Sequence, residues 1–185
     1  KFKKSIRIIW IMFSNVVFLQ HIWFELMFNI KIYREIQENI KKSQISSQII
    51  AISKNQTQES VIDALNYGVR IFGENRVMEA KTKFSDLKNK FSNINLHLTG
   101  PLQSNKTKIA LDIFDVFHTI DREKIVLEMS KYKNQIKSKK FFIQVNTGYE
   151  ENKSGIKPEN ANEFIKFCLK DLKLPIIGLM CIPPS

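Results

Sequence analysis

The sequence predicts an α/β fold: an incomplete TIM (β/α)8-type barrel with about six βα units, preceded by an N-terminal apolar extension. Three observations predict it. Short apolar runs rich in β-branched residues alternate with stretches of helical period. Polar residues gather just after the apolar runs, where barrels carry their chemistry. The chain has 185 residues, short of the roughly 250 of a full barrel.

The elements follow in order. Ile30, Tyr33, Ile36 and Ile40 recur at spacings of three and four among charged residues, an amphipathic helix with one apolar stripe. Ile49-Ile50-Ala51-Ile52 is too short for a helix and reads as a buried strand, ending in Ser53-Lys54. Thr57 caps a helix through Val61, Ile62, Ala64 and Leu65 that Gly68 closes. Val69 to Phe72 is the second strand, followed by Glu74-Asn75 and a Lys- and Glu-rich helix from about Arg76 to Phe91. Leu96 to Thr99 is the third strand, with Gln103-Ser104-Asn105 after it and a short helix from Lys106 to Leu111. Val116 to Ile120 is the fourth, followed by Asp121 and a helix from Arg122 to Tyr132. Phe141 to Val145 is the fifth, followed by Asn146-Thr147. Pro158 opens a helix to about Leu169, and Pro175 to Met180 is the sixth strand. Strands separated by helices in this way are parallel, with right-handed crossovers.

Composition excludes several classes. Apolar residues make up 43% and charged residues 25%, globular values rather than those of a disordered tail. Two cysteines, Cys168 and Cys181, rule out a disulfide framework and favour a reducing, cytoplasmic compartment. His21, His97 and His118 form no local zinc motif, so no metal site is expected. Six glycines yield neither GxGxxG nor a Walker loop. The net charge of +11 is spread along the chain and mixed with acidic residues, which reads as a solvated Lys-rich surface rather than a nucleic-acid footprint.

Residues 1–28 differ from the rest. A basic KFKKSIR start leads into a run of Ile, Trp, Met, Phe, Val and Leu whose length approaches a membrane span. Asn15, Gln20, His21 and Glu25 interrupt it, and each is costly in hydrocarbon. Three readings stand: an anchor, a buried amphipathic appendage, or a segment foreign to the domain. Met27, directly before the first globular pattern, favours the third. The domain is then residues 29–185.

Five motifs occur in the order of one family: AISK (Ala51 to Lys54), FGENRVMEA (Phe72 to Ala80), HLTGPLQSNK (His97 to Lys106), QVNTGYEENKSGI (Gln144 to Ile156) and GLMCIPP (Gly178 to Pro184). The chain resembles the pyridoxal-phosphate homeostasis family, also called the proline-synthase co-transcribed or YggS family, single-domain relatives of the alanine racemase barrel. Arg76 and Met78 stand where the family usually has an aromatic residue and Gln. Leu96 and Thr99 replace an aromatic residue and Ile or Val.

The resemblance implies that Lys54 holds pyridoxal 5′-phosphate (PLP) as a Schiff base. The residues agree: a lysine ending an apolar strand points into a barrel mouth, and burial favours the neutral amine that attacks an aldehyde. The alternative is a lysine snorkelling at a strand end. By the same analogy Asn75 lies near the cofactor ring, unless it only forms a turn. His97 faces the interior as a satisfied core histidine or a cofactor neighbour. Asn146 and Met180 end their strands and could line the pocket, Met180 equally as core. Glu150 and Lys153 match a loop over the mouth, where they form an ion pair or offer Lys153 as a second amine; the bland reading is an exposed pair.

In the family the phosphate cup and an arginine against the pyridine nitrogen come from the last two βα units, beyond Ser185. The expectation is therefore a C-terminally truncated fragment with open edges at its first and sixth barrel strands. The expected function is a non-catalytic PLP carrier in vitamin B6 and amino-acid homeostasis. The expected partners are PLP and the apo-enzymes that accept it. Neither nucleic acid nor membrane is expected, unless the extension is an anchor, and the full-length protein is expected to be a monomer. A PLP-dependent racemase is the alternative, although racemisation needs a second acid/base on the opposite face of the substrate carbon. A basic membrane- or nucleic-acid-binding module is the remaining reading.

Overall fold

A computed structural model of the chain describes residues 8–11, 16–20, 28–44 and 46–183. Their strands form one eight-stranded sheet in sequential order. The strands are β1 (Ile8–Ile11), β2 (Val16–Gln20), β3 (Gln48–Ile52), β4 (Ile71–Glu74), β5 (Asn95–Leu98), β6 (Val116–Ile120), β7 (Lys140–Gln144) and β8 (Ile176–Met180). From β2 to β8 every neighbouring pair is parallel; β1 lies antiparallel on β2. The helices are α1 (Ile30–Lys42), α2 (Gln58–Tyr67), α3 (Val77–Lys90), α4 (Thr107–Ile113), α5 (Glu123–Ser130), the single turn α6 (Lys133–Ile136) and α7 (Pro158–Lys166).

The six barrel strands and their connecting helices lie where the sequence puts them, as β3 to β8. Two strands precede them inside the apolar extension. β2 runs parallel to β3 with Val16 opposite Gln48 and Gln20 opposite Ile52. The first barrel strand is therefore not an open edge, a correction to the expectation; the edge moves out to β1. The rest of that extension lies outside the described residues. No helix among the described residues is long and apolar enough to cross a membrane.

Local chemistry sets the helix ends. The Thr57 hydroxyl accepts the Ser60 N–H at 3.2 Å, and Pro158 opens α7. After α2 the Gly68 and Val69 amides turn back to the Leu65 and Ala64 carbonyls at 3.0 and 2.9 Å. That cap consumes the Val69 N–H, so β4 starts at Ile71, two residues later than the apolar run predicts. The helix expected from Arg122 to Tyr132 ends at Ser130, and α6 is a separate turn.

Side chains alternate across the sheet. One set, with Phe72, Leu96, Leu98, Phe117, Phe141 and Ile143, packs under the helices. Phe117 is fully buried and stacks on Phe141 at 5.1 Å between ring centroids. The opposite set, Ile50, Val116, Phe142 and Met180 with Ile52 and Ile71 against them, fills the concave interior. Gly73 lies on that inner face because a Cβ there would sit 2.5 Å from the Ile52 side chain.

The stacked ring at the centre of the outer core gives a direct test. Phe117→Ala is expected to cost about 3 to 5 kcal/mol of unfolding free energy, read by urea denaturation. A loss below about 1 kcal/mol would contradict this packing.

Candidate functional site

The mouth is built at the carboxyl ends of β3, β4 and β5. Lys54 follows β3 by two residues, so it continues the inward parity of Ile50 and Ile52, and it is half-buried. Among the described residues none bonds to its amine. Asn75 continues the inward parity of Ile71 and Gly73 in the same way. Its Oδ1 accepts the Thr99 hydroxyl at 2.8 Å. Gly100 makes this approach possible: a Cβ there would lie 2.3 Å from the Asn75 carbonyl oxygen. The Thr119 hydroxyl donates to the Gly100 carbonyl at 2.7 Å and ties β6 to the same rim. A cavity of about 390 Å³ opens beside Asn75, with Arg76, Lys106 and Arg122 in its wall.

Below the mouth lies a pair of imidazoles. His97 Nδ1 and His118 Nε2 are 2.9 Å apart, and both rings are buried. His118 also stacks on Phe142, with ring centroids 4.7 Å apart. His97 is in register with Gly73, two residues before the Asn75 level. Burial pushes His97 down to about 3, with the Lys140 charge adding to it. Burial likewise holds His118 well below the usual range, with His97 adding to it. Both rings are neutral at physiological pH.

The remaining candidate residues separate into two places. Asn146 closes the 146–153 loop: its side-chain amide donates to the Glu150 and Lys153 carbonyls at 2.8 and 3.3 Å, and its oxygen accepts the Glu150 N–H at 3.3 Å. Glu150 and Lys153 form an ion pair on that loop, each about one-third exposed (38% and 35%). Met180 is buried in the interior cluster with Ile50, Val116 and Phe142. The structure thus puts His97 on the inner face of β5, continues the inward parity of β3 and β4 to Lys54 and Asn75 just beyond their ends, and leaves Asn146 tied to its own loop.

Sequence reasoning missed a buried polar cluster behind Lys54. Glu74 is fully buried and Lys83 nearly so, and Lys83 Nζ lies 2.7 Å from Glu74 Oε1. Glu79, one helical turn before Lys83, pairs with it at 3.1 Å. Burial raises Glu74, and Lys83 and Ser53 partly offset that. Glu79 is lowered: burial works against this, but the Asn55 amide and Lys83 outweigh it. The available signal was a carboxylate at the end of an apolar strand, followed nine residues later by a lysine on the next helix.

Residues 31–185 match the family model described as the alanine racemase N-terminal domain. The chain is 37% identical over 152 residues to the pyridoxal phosphate homeostasis protein of Vibrio cholerae, covering 80% of this chain and 64% of that protein. It is 39% identical over 164 residues to the protein of that name from Buchnera aphidicola, covering 84% and 69%. It therefore spans less than two thirds of the Vibrio relative. Among solved structures it is similar to PipY of Synechococcus elongatus with PLP bound, at TM-score 0.69 and 29% identity over 83% of this chain and 71% of that one. A histidine racemase from Leuconostoc mesenteroides, at 16% identity and TM-score 0.56 over 79% of this chain and 38% of its own, shares the fold.

Two tests follow from this geometry. Gly100→Ala is expected to displace Asn75, because its new Cβ meets backbone and not a yielding side chain. The amide chemical shifts of Glu74 to Arg76 report it, and unchanged shifts would contradict the contact. The imidazole pair sets an acid dependence. Unfolded histidines take up a proton near 6.5, whereas His97 folded does so only near 3, so stability is complete above about 6.5 and falls as pH drops towards 3. Each imidazole contributes a slope of up to about 1.4 kcal/mol per pH unit. Urea titrations at pH 6 and pH 4 should show a shallower loss for His97→Leu/His118→Leu than for the parent chain. An equal loss would contradict a neutral buried pair.

Proposed function

We propose a function from one premise: the chain belongs to the alanine racemase N-terminal domain family. On that premise it is a PLP-binding protein of vitamin B6 and amino-acid homeostasis, which holds the cofactor on Lys54 as a Schiff base without turnover. The observation that carries this reading is Lys54 itself. Its amine is unengaged among the described residues, half-buried, and on the inward parity of the strand that opens the barrel. The names of the Vibrio and Buchnera relatives and the PLP in PipY support it.

The residues present fit such a ligand. PLP supplies an aldehyde carbon that an amine attacks, a C–N bond forming as water leaves. Lys54 is the amine. Asn75, fixed in orientation by Thr99, offers its side-chain amide to the ring substituents. His97 stays neutral beneath and adds no charge to the site. Arg76, Lys106 and Arg122 make the adjoining rim positive, which attracts a phosphorylated molecule. The Glu150–Lys153 pair holds the facing loop, and Lys153 is the candidate second amine through which the ligand passes to an acceptor apo-enzyme. Met180 and Asn146 support the wall and the loop rather than the ligand.

The test is chemical. The chain is incubated with PLP, treated with borohydride, and its peptides are mapped. Lys54 is the expected modified residue, and Lys54→Ala should abolish both the modification and the visible absorbance. Absorbance that survives in Lys54→Ala would sink the assignment. A racemase would exchange the α-hydrogen of an amino acid for deuterium in heavy water, and no such exchange is expected.

A further inference from the structure

We propose that Lys83 is a positioning residue: together with Glu79 it clamps the backbone on both sides of Lys54 and so holds that amine at the mouth. The proposal rests on the reading of Lys54 as the PLP-binding amine.

The two flanks of Lys54 are held by one side-chain cluster. On one side, every polar group of Ser53 is used. Its N–H donates to the Gly73 carbonyl at 2.9 Å, its hydroxyl to Glu74 Oε1 at 2.7 Å, and its carbonyl accepts from Lys83 Nζ at 2.7 Å. On the other side, Asn55 turns into the left-handed region (φ 60°), and its N–H donates to Glu79 Oε1 at 2.7 Å. Lys83 joins the halves. Its three N–H donors are spent on the Ser53 carbonyl, on Glu74 at 2.7 Å and on Glu79 at 3.1 Å. Glu74, Glu79 and Lys83 come from β4 and α3, so the strand and helix of the next βα unit grip the turn that carries the lysine.

A buried ammonium needs an acceptor for each of its donors in any case, so what points beyond stability is which acceptor the third donor finds. A buried ion pair gains little over apolar groups of the same shape, because removing two charges from water offsets their attraction. Here the ammonium reaches past its two carboxylates to a backbone carbonyl, the one that precedes the reactive residue. Fixing a nucleophile near its attack geometry accelerates its step, and a displacement of about 1 Å can cost on the order of a hundredfold.

Three variants of the intact chain test this against the parent and Lys54→Ala. Glu79→Ala frees the Asn55 amide; Glu79 is only partly buried, so the fold survives. Glu79→Gln keeps an acceptor oxygen for that amide. Lys83→Met/Glu74→Gln removes the ammonium without stranding a buried charge. Two quantities are read: the condensation rate against PLP concentration, by absorbance, and hydrogen exchange of the Asn55 amide without PLP. Glu79→Ala should lower the rate at saturation about tenfold or more, with the half-saturating concentration changed less than about threefold, and should lose Asn55 protection. Glu79→Gln should restore most of both. The Lys83→Met/Glu74→Gln chain should be at least as slow as Glu79→Ala. Parental saturating rates in Glu79→Ala overturn the clamp while Lys54→Ala stays silent, and so does a Glu79→Gln as slow as Glu79→Ala. Condensation that persists in Lys54→Ala overturns the cofactor assignment and the clamp's role with it.

Discussion

The rest of the structure depends on the two-residue period of parallel strands. From β3 to β8, strands send alternate side chains to a helix-covered face and to a concave face, and both are apolar. A one-residue slip would exchange the two sets. The register therefore fixes more than packing. Phe72 and Glu74 face the helices, while Gly73 and Asn75 face the interior, so the carboxylate that meets Lys83 and the amide that meets Thr99 are placed by adjacent residues of one strand. Chemistry at the mouth is a consequence of hydrophobic sorting lower down.

Two polar clusters sit within this apolar frame, and they solve desolvation differently. The imidazoles remain uncharged, so a direct contact between His97 and His118 and a stack on Phe142 suffice. The Glu74–Lys83 cluster instead matches each donor of the Lys83 side chain. It obtains a carbonyl and two carboxylates within 3.1 Å. The first arrangement fills the interior without a fixed charge. The second places its ionisable groups on the outer face, one strand away from Lys54.

Much of this was legible in the sequence, for identifiable reasons. Six strands announce themselves because buried parallel strands are continuous apolar runs. The Thr57 cap, the Gly68 end and the Pro158 start are local chemistry and were found in place. β4 was displaced because Val69 looks like strand but gives its N–H to the preceding helix. Lys54, Asn75 and His97 could be singled out because they fall at or near strand ends within motifs of the resembled family. The clamp could not: Lys83 lies in a Lys- and Glu-rich helix whose charges read as a solvated face, and only tertiary packing turns one of them inward. His118 escaped because nothing in a strand of VFHTI tells which of its two faces meets another histidine.

The N-terminal strands bear on the same point. If β3 were the margin of the sheet, the strand ending in Lys54 would be paired on one side only, and strand margins fray and attract foreign pairing. β2 runs beside β3 along its whole length, and β4 pairs it at Ala51 and Ile52. The strand is thus bonded on both sides immediately before the turn, and the turn is gripped by β4 and α3 immediately after. For the covalent role proposed for Lys54, a backbone so held keeps the origin of the side chain in place while its amine reaches the ligand.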